Sequence, residues 1–124
     1  MAPIKVLIIE DQAIIAMDIQ SALQRAGYDV VGIATNGEDA GALLQQLRPD
    51  AMVLDISFDR KKLSLAKTIT EAYSVPVVLI ADTMDAYAMR EGASIASSGL
   101  LIKPFDTPQL IETLNNTIGN NPIR

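Results

Sequence analysis

Cysteine and histidine are both absent from this 124-residue chain. Their absence excludes disulfides, thiolate and imidazole metal sites, Ser-His and Cys-His nucleophilic pairs, and any histidine general base. Basic residues are scarce too, with 10 Lys and Arg against 15 Asp and Glu and a net charge of −5. That balance argues against general affinity for nucleic acid phosphates, and Arg60-Lys61-Lys62 reads as no more than a short basic patch. Long apolar runs are missing: the longest, such as Val75 to Ala81, fall far short of the roughly 20 residues a membrane span needs. Met1 is followed at once by a strand pattern rather than a charged start and an apolar leader, so no secretion signal is read and a cytoplasmic protein is expected.

What is present is an ordinary globular balance, 49% hydrophobic and 20% charged, in a length that suits one domain with a real core. Whatever chemistry occurs here must use carboxylates, hydroxyls and lysine. Short continuous apolar runs alternate with helical spacing, the pattern of a parallel sheet covered on both faces. Strands are expected near 4–9, 29–34, 51–55, 76–81 and 99–102. Between them, Ile15, Ile19, Ala22, Leu23 and Ala26 form a helical stripe stopped by Gly27. Ala40, Leu43, Leu44 and Leu47 form a second, introduced by Thr35-Asn36-Gly37-Glu38, which fits a capping box. Leu65, Ala66, Ile69, Ala72 and Tyr73 form a third.

A fourth helix between 84 and 95 is poorly striped, since Tyr87, Met89 and Ile95 stand among Ala, Ser and Gly; its composition suggests a mobile or partner-facing element. In the last helix Thr107 can cap, Pro108 suits the first helical position, and Leu110, Ile111, Leu114 and Ile118 face inward. Strands alternating with helices through right-handed crossovers give an open, doubly wound α/β sheet, whose ligands sit outside the carboxyl ends of the strands.

Those ends hold the informative residues. The first apolar run closes on Glu10-Asp11 and the third on Asp55, so neighbouring parallel strands would bring three carboxylates together. Crowded carboxylates repel, and the ionised cluster is stable only with a cation or with raised pKa values. It reads as a small oxygen-ligand metal site suited to Mg²⁺. Each residue also has a plainer explanation. Asp11 could cap the first helix, Glu10 could favour its positive N-terminus, Asp55 could be a turn residue, and Lys103 a solvated charge. The combination of two acids after the first strand, one Asp after the third and Lys-Pro after the fifth is far more specific than its parts.

With Val6-Leu7-Ile8-Ile9-Glu10-Asp11, Pro49-Asp50-Ala51-Met52-Val53-Leu54-Asp55-Ile56 and Gly99-Leu100-Leu101-Ile102-Lys103-Pro104-Phe105 in place, the chain resembles a response regulator receiver domain of bacterial two-component signalling. The resemblance implies a flavodoxin-like fold, five parallel strands in the order 2-1-3-4-5 with five helices, forming one receiver domain over 1–124 with no output domain. It implies that Asp55 is the phosphoacceptor, fed by a sensor histidine kinase or a histidine phosphotransfer protein. The missing histidine then belongs to the partner. It further implies Mg²⁺ held by Asp11 and Asp55 directly, by Glu10 through water and by the backbone carbonyl of Ser57. Lys103 would pair with phosphoryl oxygens, and the Lys103-Pro104 bond is commonly cis in the family.

Four departures stand out. Where the family usually places Thr or Ser at the end of the fourth strand, Ala81 stands, and alanine cannot bond a phosphoryl group. Thr83 has a hydroxyl two residues on, usable only if the loop is repositioned. The next position, normally small, is Asp82, expected to turn to solvent unless it binds the cation; Leu100 replaces the usual switching Tyr or Phe. Finally, the loop Ser57-Phe58-Asp59-Arg60-Lys61-Lys62 lacks the usual Pro and Gly, so its turn must use less adaptable residues or the third helix must begin earlier.

The expected function is therefore acceptance of a phosphoryl group on Asp55, signalled to an unknown protein target through the surface of the fourth and fifth helices, which also offers a homodimer interface. Only self-catalysed phosphorylation and dephosphorylation of its own Asp is expected, so the chain is not read as an enzyme. The alternative is a degenerate receiver that docks a partner independently of phosphorylation.

Overall fold

The computed structural model describes residues 2–95 and 98–119. The elements run β1 (Lys5–Ile9), α1 (Ala13–Arg25), β2 (Asp29–Ala34), α2 (Gly37–Leu47), β3 (Ala51–Asp55), α3 (Arg60–Tyr73), β4 (Val77–Asp82), α4 (Ala86–Ala93), β5 (Ser98–Lys103) and α5 (Thr107–Gly119). All four strand pairings are parallel and the order is β2-β1-β3-β4-β5, the flavodoxin-like order expected. None of the described helices is long and apolar enough to cross a membrane.

The period of two along each strand divides the core into two layers. Leu7, Ile9, Met52, Leu54, Val77, Leu79 and Ala81 pack with Ala40, Leu44, Leu63, Ala66, Ile69 and Ala88, beneath α2, α3 and α4. Val6, Ile8, Ala51, Val53, Val78, Ile80 and Leu101 pack with Ala16, Ile19, Leu23, Leu110 and Leu114, beneath α1 and α5. The central strands are apolar on both faces because both faces are covered.

Several local expectations shift. At α2 the expected box of Thr35 with Glu38 is replaced by a cap one residue later, Asn36 accepting the Asp39 backbone N–H at 2.8 Å. At α5 the cap is Asp106, not Thr107: Asp106 Oδ1 accepts from Gln109 N–H and Gln109 Oε1 accepts from Asp106 N–H, each at 2.8 Å, which moves Pro108 to the second helical position. Gly27, at φ 95°, does terminate α1, although Ala26 is exposed. On α3, Ala66 and Ile69 are buried and Leu65 partly buried, as the spacing implies; Leu63 and the stem of Lys62 join them, while Ala72 and Tyr73 are exposed, so the stripe lies nearer the N-terminal end.

The small residues of α4 are its docking face. Ala88 and Gly92 are buried, and a Cβ on Gly92 would stand 3.1 Å from Ile56 Cδ1 and 3.2 Å from Leu100 Cδ1, so any larger residue there requires those side chains to give way by a few tenths of an ångström. That close approach, rather than weak packing, explains the poor stripe.

Candidate functional site

β1 and β3 are adjacent and in register from Val6 with Ala51 to Ile9 with Leu54, so Glu10 and Asp55 emerge side by side at the carboxyl edge. Lys103 pairs with Asp82 across β4 and β5. These residues, with Asp11, Ser57, Asp59 and Lys62, line one cleft of ≈ 330 Å³. Glu10 is 2% and Asp55 6% exposed, a degree of burial that carboxylates tolerate only with partners.

Asp55 has those partners. Its Oδ2 lies 2.6 Å from Lys103 Nζ, and its Oδ1 accepts the Ser57 backbone N–H at 2.8 Å. Glu10 is less well served. Burial first, then the charge of Asp55 and of Asp11, hold its carboxyl above the ordinary glutamate value against the opposing pull of Lys62 and Lys103. Asp11 does not cap α1, whose N-cap is Gln12 without a side-chain bond, so the plainer explanation for Asp11 falls away. Instead Asp11 Oδ1 pairs with Lys62 Nζ at 3.3 Å.

The cleft was only partly foreseen. Asp59 is not among the residues expected there, and Lys62 is expected only as part of a short basic patch. The lack of Pro and Gly after Asp55 was the available signal, and both of its expected consequences occur. Phe58 takes the left-handed backbone at φ 55°, and α3 begins at Arg60, capped by Asp59 Oδ1 through the Lys61 and Lys62 N–H groups at 3.0 and 3.2 Å. The early start carries Lys62 into the first turn and over the acids.

The expected convergence of Glu10, Asp11 and Asp55 needs correction in degree: they share the cleft, but among the described residues no group of three acidic side chains is drawn close enough to hold a metal ion. Two ammonium groups stand on Asp11 and Asp55 instead. The donor chemistry still fits a hard cation. The carboxylates are all oxygen donors, Glu10 is buried beside the charges of Asp55 and Asp11, and Ser57 Oγ is buried at the cleft with no hydrogen-bond partner.

Asp82 neither turns away nor reaches across: it lines the cleft, with Oδ1 held by the Met84 N–H at 2.8 Å. Thr83 is exposed and is not among the residues lining the cleft, so its hydroxyl is not brought to the acids. Ala81 and Leu100 both pack in the layer beneath α4. The Lys103–Pro104 peptide is cis.

A second connection leaves the site through the β3–α3 loop. Asp85 caps α4 through the Ala88 N–H at 3.0 Å and also accepts the Phe58 N–H at 2.7 Å. These two bonds, with Arg60 nearby, hold its carboxyl below the usual range. The Arg60 guanidinium lies 4.2 Å from the centroid of the Tyr87 ring. The loop is thus tied to α4 by a hydrogen bond, and the first residue of α3 by a cation–π contact.

Comparison with known proteins agrees with this construction. The model of the response regulator receiver domain matches residues 6–115. The chemotaxis protein CheY of Thermotoga maritima is 29% identical over 113 residues, 90% of this chain and 94% of that protein. The transcriptional regulatory protein PdtaR of Mycobacterium tuberculosis is also 29% identical over 113 residues, but the chain spans only 55% of its length. Among solved structures, the signal receiver domain of a modulated diguanylate cyclase from Desulfovibrio desulfuricans superposes with a TM-score of 0.83 at 25% identity, covering 97% of both chains. This chain belongs to the response regulator receiver domain family.

Proposed function

We propose that the domain accepts a phosphoryl group on Asp55 from a phosphohistidine of a sensor kinase or phosphotransfer protein, in a Mg²⁺-dependent phosphorelay. The observation that carries this reading is the state of Asp55: buried, oriented by the Ser57 N–H at 2.8 Å, and held by the Lys103 ammonium at 2.6 Å. An Asp55 oxygen would attack phosphorus as the donor's N–P bond breaks, the electron pair returning to the imidazole and an acyl phosphate forming. Lys103 would follow the charge from carboxylate to phosphoryl oxygens. Phosphoryl transfer asks for positioning and charge neutralisation more than covalent machinery.

Asp11, Asp55 and Glu10, the last through water, with the Ser57 carbonyl, would hold Mg²⁺, which when bound neutralises phosphoryl charge. No turnover of outside substrates is proposed; the chemistry ends on the domain's own Asp55. Incubation with acetyl phosphate and Mg²⁺, followed by intact-mass measurement, tests the reading. A phosphate-sized gain in the wild type and none in Asp55→Asn is expected; no gain in either would defeat it.

A second reading, a docking module indifferent to phosphorylation, is favoured by the packing of Ala81 and Leu100 beneath α4. On that reading Asp55→Asn leaves partner binding unchanged.

A further inference from the structure

We propose that the Lys62 ammonium is a tethered competitor for the divalent cation: it holds Asp11 while the cation is absent and must leave that carboxylate before a cation can be coordinated there. The proposal rests on the reading of the cleft as a Mg²⁺ site and adds to it a residue that sets the affinity.

Lys62 is placed for this by its backbone. Only four residues, Ile56 to Asp59, separate β3 from α3, so Lys62 falls in the first helical turn with its N–H pinned to Asp59 Oδ1. A cation in the first turn opposes the helix dipole, and a lysine head ordinarily stays in water. Lys62 does neither comfortable thing: its side chain is 10% exposed and its Nζ lies 3.3 Å from Asp11 Oδ1. The attraction of the acidic cleft outweighs both preferences. Asp11 is by contrast 59% exposed, so a solvated cation can approach it from solvent while the ammonium holds Oδ1. One carboxylate between two cations of like charge, one tethered and one free, is a competition.

The test measures Mg²⁺ binding directly, by calorimetric titration of the wild type, Lys62→Met and Lys62→Arg. Methionine keeps the buried stem and removes the charge, so its affinity for Mg²⁺ should be tighter by about tenfold, the scale of a partly buried ion pair, whereas arginine should leave it at or below the wild type. In the unsubstituted protein, Mg²⁺ should raise the reactivity of the Lys62 amine toward an acylating reagent several-fold, read by peptide mass spectrometry with the exposed Lys61 as reference. This second measurement stands even if the variants fold poorly. Equal or weaker Mg²⁺ binding by Lys62→Met, or Lys62 labelling indifferent to Mg²⁺, in a wild type that does bind the ion overturns this proposal alone. No Mg²⁺ binding by wild type or Lys62→Met overturns it together with the reading of the cleft.

Discussion

The carboxyl edge of the sheet has two sides that differ in kind. Glu10, Asp55, Asp82 and Lys103 each follow by two residues an apolar side chain of the α1 and α5 layer, namely Ile8, Val53, Ile80 and Leu101, and all four line the cleft. Ala81 and Leu100 belong to the opposite layer, beneath α4, and carry no polar atom beyond the backbone. Charge is concentrated on one side of the pleat and methyl groups on the other. On the proposed reading, the groups for receiving an anion and those for reporting it are separable, the first lining the cleft and the second replaced by Ala81 and Leu100. What joins the sides is the β3–α3 loop and the start of α3, through Asp85 on Phe58 and Arg60 on Tyr87.

The largest effect should come from the charged side. Lys103→Met should slow phosphoryl uptake from acetyl phosphate by ~10²–10³-fold, the usual loss for one preorganised charge-stabilising group. Quantitative intact-mass time courses measure it, and a change below threefold, roughly, would move the neutralising role elsewhere in the cleft.

Ala81→Thr addresses the apolar side. Because Ala81 is fully buried beneath α4, the added atoms should cost about 1–3 kcal/mol in urea unfolding without extending the life of the adduct. A longer-lived adduct would show that the hydroxyl reaches the cleft after all, and the contrast between the two sides would dissolve.

Removing the bridge should do less. Arg60→Ala should lower stability by about 0.5–1 kcal/mol, the worth of an exposed cation–π contact, and leave uptake on Asp55 unaltered. A large fall in uptake would mean that α4 positions the acceptor loop.

The smallest effect is one of pH. The folded-state pKa of Glu10 is raised, so its ionised form opposes folding. That penalty is absent below the unfolded value, grows as pH rises toward the folded value, and is complete above it. In metal-free buffer, Glu10→Gln should therefore match the wild type in melting temperature at acid pH and exceed it at neutral pH. Equal melting temperatures at both would show that Lys62 and Lys103 already compensate the charge.

Much of this was legible in the residue order. β2 and β3 begin and end where the apolar runs do, because a strand buried on both faces must be continuously apolar. Asp55 could be placed at an edge for the same reason. Caps at α2 and α5 were displaced by one residue because neighbouring polar side chains compete for the same N–H groups, and only the backbone's path decides between Thr35 and Asn36 or between Thr107 and Asp106. On α3, Ala66, Ile69 and the partly buried Leu65 lie inward as the spacing implies, whereas Lys62 and Leu63 join them because the helix starts at Arg60, soon after Phe58 at φ 55°, which no periodicity reveals.

The amino-acid order by itself determined the alternation of strands and helices and the row of acids at the strand ends, since both follow from spacing along the chain. Only the tertiary structure decided that Lys62 enters the acidic cleft and that Gly92 brings α4 onto Ile56. Those contacts join segments far apart in sequence, and their geometry is set by where a helix starts and how closely it packs.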